Sequence, residues 1–435
     1  MRKILPPLVL LLFFIVGSKV LPQSPTASIT GIVFDPDNKV IPGAEIIAVN
    51  DLTRVQYETK TNGEGIYTVV SLPPGPYRVQ VSKVDFKTII KPDIILNVGD
   101  ALSLNFTLPI GASSVAVTVE GGAPMINTTD GSVSTVVDHS YVENMPLNGR
   151  SFQDLILLTP GTVTQTPQNS SLSAGLGQTG EFSVNGQRPE SNYYTVDGVS
   201  AGVGAASGTG MIINAGASGS VPLASALGTT QALVSVDDLQ EFRVQSSSYS
   251  AEYGRNPGGQ FVFETKSGTN QWHGSAFEYL RNDVFDANDW FTNYFRANRS
   301  ALRQDDFGGT VGGPVDVPRF YEGKDKTFLF MSYEGLRLVQ PQAATVNFVP
   351  DSALRAAAPA PLSQVLNAFP VANGPDDAAN GVAQFIAGWS NPSSLDAGSF
   401  RIDHVVNDKL RLFFRFSETN SDLESRGTGT GNTPS

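Results

Sequence analysis

The sequence contains no cysteine, and this absence removes several kinds of chemistry at once. Such a chain forms no disulfide and offers no thiolate nucleophile, cysteine-type zinc site or iron–sulfur site. Histidine is scarce as well: His139, His273 and His404 lie far apart in the sequence. No paired His and Glu residues are spaced as zinc ligands, so we expect no metal, no other cofactor and no catalysis.

Charged residues are also few, at 16% of the chain, and the formal net charge is −12. Binding to phosphate backbones requires a surplus of Lys and Arg, so nucleic acid is not an expected partner. Hydrophobic residues make up 40% of the chain, which is enough for a core, while 43 Gly and 28 Pro indicate many turns. This balance favours short strands over solvated helices.

The sequence has no hydrophobic run long enough to predict a membrane-spanning helix. Arg2 and Lys3 precede an apolar run from Ile4 to Val16, which is shorter than the ~20 residues a helix needs to cross a bilayer. A positive start before a short apolar run is typical of a secretory signal peptide. We predict one over residues 1–22; an N-terminal buried strand is the alternative.

Residues 27–108 show a hydrophobic period of two. Tyr77, Val79 and Val81 alternate with polar residues, and so do the apolar positions from Leu102 to Leu108. Turn signals separate these runs, for example in residues 35–38. This pattern predicts a β-sandwich of about six or seven short strands.

The sequence of this segment resembles the carboxypeptidase regulatory-like domain. The resemblance rests on residues 31–33, 41–44, 61–67 and 72–77. It implies a non-catalytic transthyretin-like sandwich, grouped with the carbohydrate-binding-like folds. No aromatic platform in the segment singles out a sugar site.

Residues 109–137 are predicted to be a linker that contains one β-prone stretch. The stretch is Val115, Ala116, Val117, Thr118 and Val119, and two glycines follow shortly after it. A β-prone segment in a tether can add itself to the sheet edge of another protein through main-chain hydrogen bonds. The alternative is that it forms the last strand of the sandwich.

Residues 138–268 are predicted to form a small mixed α+β unit. Asp138 is placed to cap a short helix that ends before Pro146, and Asp197-Gly198 predicts a tight hairpin turn. The stretch 236–242 is expected to start helical. The predicted strands are Glu181–Asn185, Tyr193–Val196 and Gln260–Thr265.

Four sequence motifs in this unit resemble the plug domain of TonB-dependent outer-membrane receptors, specifically the Oar-like group. They span residues 145–152, 184–188, 194–199 and 249–255. The resemblance assigns a plug motif to Asn148, Gly149, Arg150, Asp197 and Gly198. It also implies that the stretch from Val115 to Val119 is the TonB box, which pairs with TonB and its inner-membrane energising complex.

Residues 269–435 return to aromatic-rich alternation. Leu410, Leu412, Phe414 and Phe416 share one predicted face, and Arg411, Arg415 and Ser417 share the other. Further strands are predicted at Trp272–Arg281, Asp306–Gly313 and Thr327–Glu334. Strands of outer-membrane barrels direct apolar side chains outward, into contact with lipid, and polar side chains inward. A soluble sandwich would show a similar alternation. Residues 266–275 and 306–314 resemble the first barrel strands of the Oar-like group.

These observations predict a mainly β protein with three parts: a transthyretin-like sandwich, a small α+β plug and the first strands of an outer-membrane β-barrel. The predicted function is ligand uptake or signalling energised by TonB in the outer membrane of a Gram-negative bacterium, without bond chemistry. The ligand would be a carbohydrate or peptide. The alternative is a secreted or periplasmic sandwich that binds carbohydrate or protein.

The length of the last segment points to an incomplete barrel. Such transporters close with about 22 strands, and at ~9–11 residues each these need more than ~200 strand residues. The segment from 269 to 435 is shorter than that. We therefore expect the chain to be the N-terminal part of a receptor, from a truncated gene or an incomplete sequence.

Overall fold

The structure is a computed structural model. It describes residues 26–112, 116–118, 131–145, 147, 150, 153–164, 182–187, 191–201, 233–249, 253, 256–407 and 410–424. The predicted signal peptide (1–22) and four of the predicted site residues lie outside this range, namely Val115, Val119, Asn148 and Gly149.

The first nine strands form the sandwich. They are β1 Ala27–Phe34, β2 Glu45–Asn50, β3 Gln56–Lys60, β4 Ile66–Leu72, β5 Gly75–Ser82, β6 Thr88–Leu96, β7 Ala101–Ser103, β8 Phe106–Thr107 and β9 Ala116–Thr118. One sheet has the order β4-β1-β7, with β8 also pairing with β1, and the other has the order β3-β2-β5-β6-β9. The predicted sandwich is therefore present, and its second sheet gains the strand β9 from the predicted linker.

The sandwich core follows the predicted alternation. In β1 buried residues alternate strictly with half-buried ones, and Tyr77, Val79 and Val81 in β5 are all fully buried. Pleated strands send successive side chains to opposite faces, so this pattern fills the space between the two sheets. Tyr67 fills the middle of this core with its ring near that of Phe106.

We expect the change Tyr67→Phe to destabilise the sandwich by about 1–2 kcal/mol. The Tyr67 hydroxyl is buried and donates a hydrogen bond to the Leu104 carbonyl over 2.8 Å, so its removal takes a partner from a buried acceptor. Thermal unfolding of the full chain measures the loss. Tyr141→Phe is the control, because Tyr141 is exposed on a helix; equal effects of the two changes would contradict the prediction.

The second unit is called the plug unit after the resemblance in its sequence. Its elements are β10 Val133–Val137, α1 His139–Asn144, α2 Gln153–Ile156, β11 Thr162–Thr164, β12 Phe182–Val184, β13 Tyr193–Val196, β14 Val199–Ser200, β15 Leu239–Ser247 and β16 Gln260–Thr265. The unit begins earlier than predicted, because β10 lies within the predicted linker (109–137) yet pairs with β15. The main sheet has the order β10-β15-β16-β13-β14. The Asp138 side chain accepts a hydrogen bond from the Tyr141 N–H, which confirms the predicted helix cap.

One predicted element in this unit is wrong. Residues 236–242 do not start as a helix; turns lead into β15, which begins at Leu239. Phe242 and Val244 are fully buried, and β15 pairs with β16 along most of its length. The strand pairing and the burial of these side chains outweigh the local helical preference.

The predicted Asp-Gly hairpin is confirmed. Val196 and Val199 face each other across the β13–β14 hairpin. Asp197 has φ 49° and Gly198 has φ 76°, and a two-residue turn with two positive φ angles is the one that Asp-Gly favours. The Asp197 side chain accepts hydrogen bonds from the N–H and the hydroxyl of Thr265 in β16.

The last six strands form one antiparallel sheet, called the barrel sheet. They are β17 His273–Asn282, β18 Arg303–Pro314, β19 Thr327–Pro350, β20 Asp376–Asp377, β21 Val382–Asn407 and β22 Leu410–Leu423. The order is β17-β18-β19-β21-β20, with β22 also on β21, and the sheet is open within the described residues. Its connections carry α3 Trp290–Tyr294, α4 Ser352–Ala357 and α5 Ala360–Asn367.

Strand β19 exceeds the prediction, because it has 24 residues whereas the sequence predicted a strand only from Thr327 to Glu334. Its partner β21 has 26 residues. The hydrophobic alternation fades beyond residue 340, but the continuous pairing between the two strands extends them. In the part of the chain that the structure describes, no helix is both long and apolar enough to cross a bilayer.

The two faces of the barrel sheet differ as predicted. Leu412, Phe414 and Phe416 in β22 are exposed on the outer face. On the opposite face, Glu334 and Arg401 are buried against the plug. The outer face of β22 is therefore apolar, as in an outer-membrane barrel wall, whereas the inward face combines buried polar side chains with buried apolar ones such as Phe330 and Leu336.

Candidate functional site at the plug, barrel and sandwich interface

The first cluster at this interface is built around Arg150. The Arg150 guanidinium forms an ion pair with Asp237 in the plug. Its Nε lies 3.4 Å from Oδ2 of Asp306 and 3.9 Å from Oε1 of Glu334. Both of these acids lie on inward positions of the barrel sheet and are almost fully buried. One plug arginine thus faces three carboxylates, two of them from the barrel wall.

Two aromatic rings of β17 complete this cluster. The Arg150 guanidinium carbon lies 4.1 Å from the ring centre of Phe277 and 4.6 Å from that of Tyr279. A guanidinium over an aromatic face is attracted by the ring quadrupole, and the attraction grows when water is excluded. The predicted motif residue Arg150 therefore joins the plug to strands β17, β18 and β19.

The second cluster is centred on Arg401 of β21. Its Nη1 lies 3.1 Å from Oδ1 of Asp197 and 3.4 Å from Oε1 of Glu264. It also donates to the Thr265 carbonyl over 3.0 Å. Arg415 of β22 reaches the other Asp197 oxygen, Oδ2, at 2.9 Å. The turn that carries Asp197 is thus held by two arginines of the barrel wall.

Two adjacent aspartates of the plug contact different residues at this interface. Asp237 pairs with Arg150, whereas the next residue, Asp238, accepts a hydrogen bond from the Ser399 hydroxyl of β21 over 2.7 Å. Burial raises the pKa of Asp238 to about 6. Burial, followed by the charge of Asp197, also raises the pKa of Glu264. The plug therefore meets the wall with carboxyl groups that protonate more readily than exposed ones.

A third set of contacts joins the plug to the sandwich. Arg243 of β15 forms an ion pair with Asp100 in the turn before β7. Two residues earlier on β15, the Glu241 carboxylate accepts a hydrogen bond from the Val98 N–H. Burial raises the pKa of Glu241 to about 8. The turn between β6 and β7 is thus docked onto the plug sheet.

The sandwich also contacts the barrel sheet. The Asn270 side chain donates to the Thr53 carbonyl over 2.6 Å, and the Arg411 guanidinium lies 3.9 Å from the ring centre of Tyr57. Phe328, at the start of β19, is buried together with the sandwich core. The sandwich is therefore anchored to the end of the barrel sheet where β19 begins.

The pKa of Glu241 predicts that its docking contact depends on pH. A carboxyl group with a raised folded-state pKa contributes stability below its unfolded pKa of about 4.3, and that stability is lost as the pH rises through the folded value. We expect wild-type stability to fall between pH 5 and pH 9, by at most about 1.4 kcal/mol per pH unit from this group. Glu241→Gln keeps an acceptor for Val98 but does not titrate, so it should flatten this part of the curve.

Thermal unfolding across this pH range measures the effect. Glu278→Gln is the matched control, because Glu278 is exposed on β17. Identical pH profiles for wild type and Glu241→Gln would show that Glu241 does not titrate at this contact.

A polar cavity lies at the other end of the barrel sheet. It has a volume of about 360 Å³ and includes Arg281, Arg299, Asp283, Asp286 and Gln342 in its lining. The charges are paired, with Arg281 near Asp286 and Arg299 near Asp283. The described residues contain no group of three or more His, Asp or Glu side chains that could hold a metal ion.

The predicted motif residues are thus separated into two clusters. Arg150 lies in the first and Asp197 in the second, while Gly198 provides the turn. The linker residues Ala116, Val117 and Thr118 lie elsewhere, as β9 on the sandwich edge. The sequence interpretation did not identify the residues that Arg150 and Asp197 contact. Asp197 contacts Arg401 and Arg415, and Glu264 contacts the same Arg401. Arg150 faces Asp237, Asp306 and Glu334.

Two family models and one curated transporter are similar to parts of this chain. A family model described as "Carboxypeptidase regulatory-like domain" matches residues 28–109, and one described as "Outer membrane beta barrel domain" matches residues 264–364. The TonB-dependent transporter Oar of Myxococcus xanthus is 25% identical over 341 residues, which cover 73% of this chain. The chain is a homologue of the TonB-dependent transporter Oar.

The match with Oar and the barrel-domain match assign this Oar homologue to the outer membrane of a Gram-negative bacterium, as the sequence predicted. The chain spans 27% of the length of Oar. Among solved structures, the outer membrane transporter YddB from Escherichia coli is similar with a TM-score of 0.43 and 13% identity. That similarity covers 68% of this chain and 34% of YddB.

Proposed function

We propose that this Oar homologue is the N-terminal part of a TonB-dependent outer-membrane transporter, in which TonB moves the plug to admit a ligand and no bond chemistry occurs. The observation that carries the proposal is the charged interface between plug and wall. Arg150 crosses it from the plug, and Arg401 and Arg415 cross it from the barrel strands.

A charged interface suits a plug that has to move. Buried ion pairs often add little net stability compared with apolar packing, because both partners lose their hydration. The same groups regain that hydration when water enters a polar lumen. A plug held by arginines and carboxylates is thus fixed in one position and can still be displaced, whereas an apolar interface would resist wetting.

The arrangement of the chain supports a direction for transport. The sandwich and β9 lie at the end of the barrel sheet where β19 begins, and this end would face the periplasm and TonB. The cavity next to Arg281 lies at the opposite end, where a ligand would arrive from outside. Charged and amide side chains line it beside apolar surface, a combination that suits a carbohydrate or a peptide.

Binding to TonB tests the proposal directly. The periplasmic domain of TonB from the same bacterium is titrated into the full chain in detergent, and the change Thr118→Pro is compared with Thr118→Ala. Proline cannot donate a backbone hydrogen bond and interrupts strand addition. We expect Thr118→Pro to weaken binding at least tenfold and Thr118→Ala to leave it nearly unchanged.

Cell fractionation completes the test. We expect the chain in the outer-membrane fraction. A soluble periplasmic product that does not bind TonB would overturn the transporter proposal and favour a sandwich that binds carbohydrate or protein.

A further inference from the structure

The strand β9 is held by the sandwich in a defined register. Ala116, Val117 and Thr118 pair in parallel with Thr88, Ile89 and Ile90 of β6. In this sheet β9 occupies the outer position, next to β6. The Val117 side chain is half-buried there, while Thr118 is exposed. The segment proposed to bind TonB is therefore already paired as an edge strand.

The chain just before β9 is fixed to the same side of the sandwich. The Lys87 N–H donates to the Pro109 carbonyl over 2.8 Å, and the Gly111 N–H donates to the Asp85 carbonyl over 3.0 Å. Phe86 and Ile110 form a bridge between these hydrogen bonds. Residues 109–111 thus lead the chain along the sandwich towards the edge of β6.

This pairing is short enough to be reversible. It covers three residues of each strand, and a backbone hydrogen bond contributes only about 0.5–1.5 kcal/mol net. A sheet edge binds any extended segment of suitable sequence through the same main-chain groups. TonB would add its own strand to this segment, so the two pairings would use the same backbone groups.

The sandwich stays close to residues 116–118 and can therefore compete with TonB for them continuously. Asn270 and Arg411 attach it to the barrel sheet, and Arg243 attaches it to the plug. The edge of β6 therefore stays near the segment after β9 has left it. A tethered competitor acts at a high effective concentration, which lowers the apparent affinity of a soluble partner.

We propose that the β6 edge of the sandwich is an internal binding site for residues 116–118 and competes with TonB for them. This inference rests on the proposed function, because it assumes that TonB binds this segment. TonB would bind only the fraction of molecules in which β9 is released. The sandwich would thus regulate access to the segment in addition to covering the plug.

The absence of cysteine allows a direct test. The changes Ile90→Cys and Thr118→Cys place one thiol on each of two paired residues. Neighbouring strands lie about 4.8 Å apart, within the Cα separation of about 4.4–6.8 Å that a disulfide needs. The control pair is Glu45→Cys with Lys60→Cys, which also face each other across neighbouring strands of the sandwich. Binding of the TonB periplasmic domain is measured for both full-length variants, oxidised and reduced, and for a synthetic peptide of residues 113–121.

We expect the oxidised Ile90/Thr118 variant to bind TonB at least tenfold more weakly than its reduced form, and the control pair to be insensitive to oxidation. The free peptide should bind more tightly than the reduced full chain. Failure of the Ile90/Thr118 disulfide to form, or equal binding by its two forms, would overturn the competition. If neither peptide nor chain binds TonB, the proposed function itself fails.

Discussion

Replacing Arg401 with alanine is expected to destabilise the docked plug by about 3–5 kcal/mol. Arg401 is buried and lies within ion-pair distance of Asp197, Glu264 and Asp403. Its removal would leave these three carboxyl groups close together without their main cation. Urea unfolding of the full chain in detergent, followed by hydrogen exchange of β16, measures the loss.

The matched control is Arg337→Ala. Arg337 also pairs with an aspartate, Asp396, but both side chains are substantially exposed, at 46% and 39%. Exposed pairs contribute about 0–1 kcal/mol. Arg401→Lys keeps the charge and should fall between the two, because lysine cannot form the same planar fork. Similar losses for Arg401→Ala and Arg337→Ala would contradict the assigned role of the buried pair.

The second large effect is expected at Arg150. The change Arg150→Ala should also cost about 3–5 kcal/mol, because it leaves Asp237, Asp306 and Glu334 without the cation that they share. It also removes the contacts with the rings of Phe277 and Tyr279. Unfolding of the plug is measured in the same way as for Arg401.

A double-mutant cycle separates the ion pair from general damage. We expect Arg150→Ala and Asp306→Asn to be non-additive by about 0.5–3 kcal/mol, since the two groups share one buried cluster. Combining Arg150→Ala with Tyr141→Phe provides the additive reference, because Tyr141 is exposed on α1. Additive losses for Arg150 and Asp306 would show that the 3.4 Å contact is not an energetic coupling.

Local sequence rules predicted the elements whose structure depends on nearby residues. The cap at Asp138 and the turn at Asp197-Gly198 each depend on only a few positions, and both were predicted correctly. The alternation in β22 also identified its inward residues, including Arg415, without revealing what they contact. An alternation of period two determines which side chains of a strand share a face, and only neighbouring residues are needed to recognise it.

Long-range partners could not be predicted in this way. Arg401 and Asp197 are 204 positions apart in the chain, and neither residue is unusual in its local sequence. The start of β15 at Leu239 and the full length of β19 were missed for the same reason, since both depend on pairing with distant strands. The pairing of β9 was foreseen only as the alternative to a free TonB box, because the same β-prone residues suit either edge.

The lengths of β19 and β21 have a consequence for the cell surface. A strand of 24 residues runs for roughly 80 Å at about 3.3 Å per residue, and it rises roughly 55 Å even when tilted by about 45°. The apolar band of an outer membrane is only about 25 Å tall. In the orientation proposed above, with the Thr327 end held against the sandwich, the far half of this hairpin and helices α4 and α5 would stand clear of the lipid. In that orientation they would be the part of the protein most accessible to antibodies and proteases outside the cell.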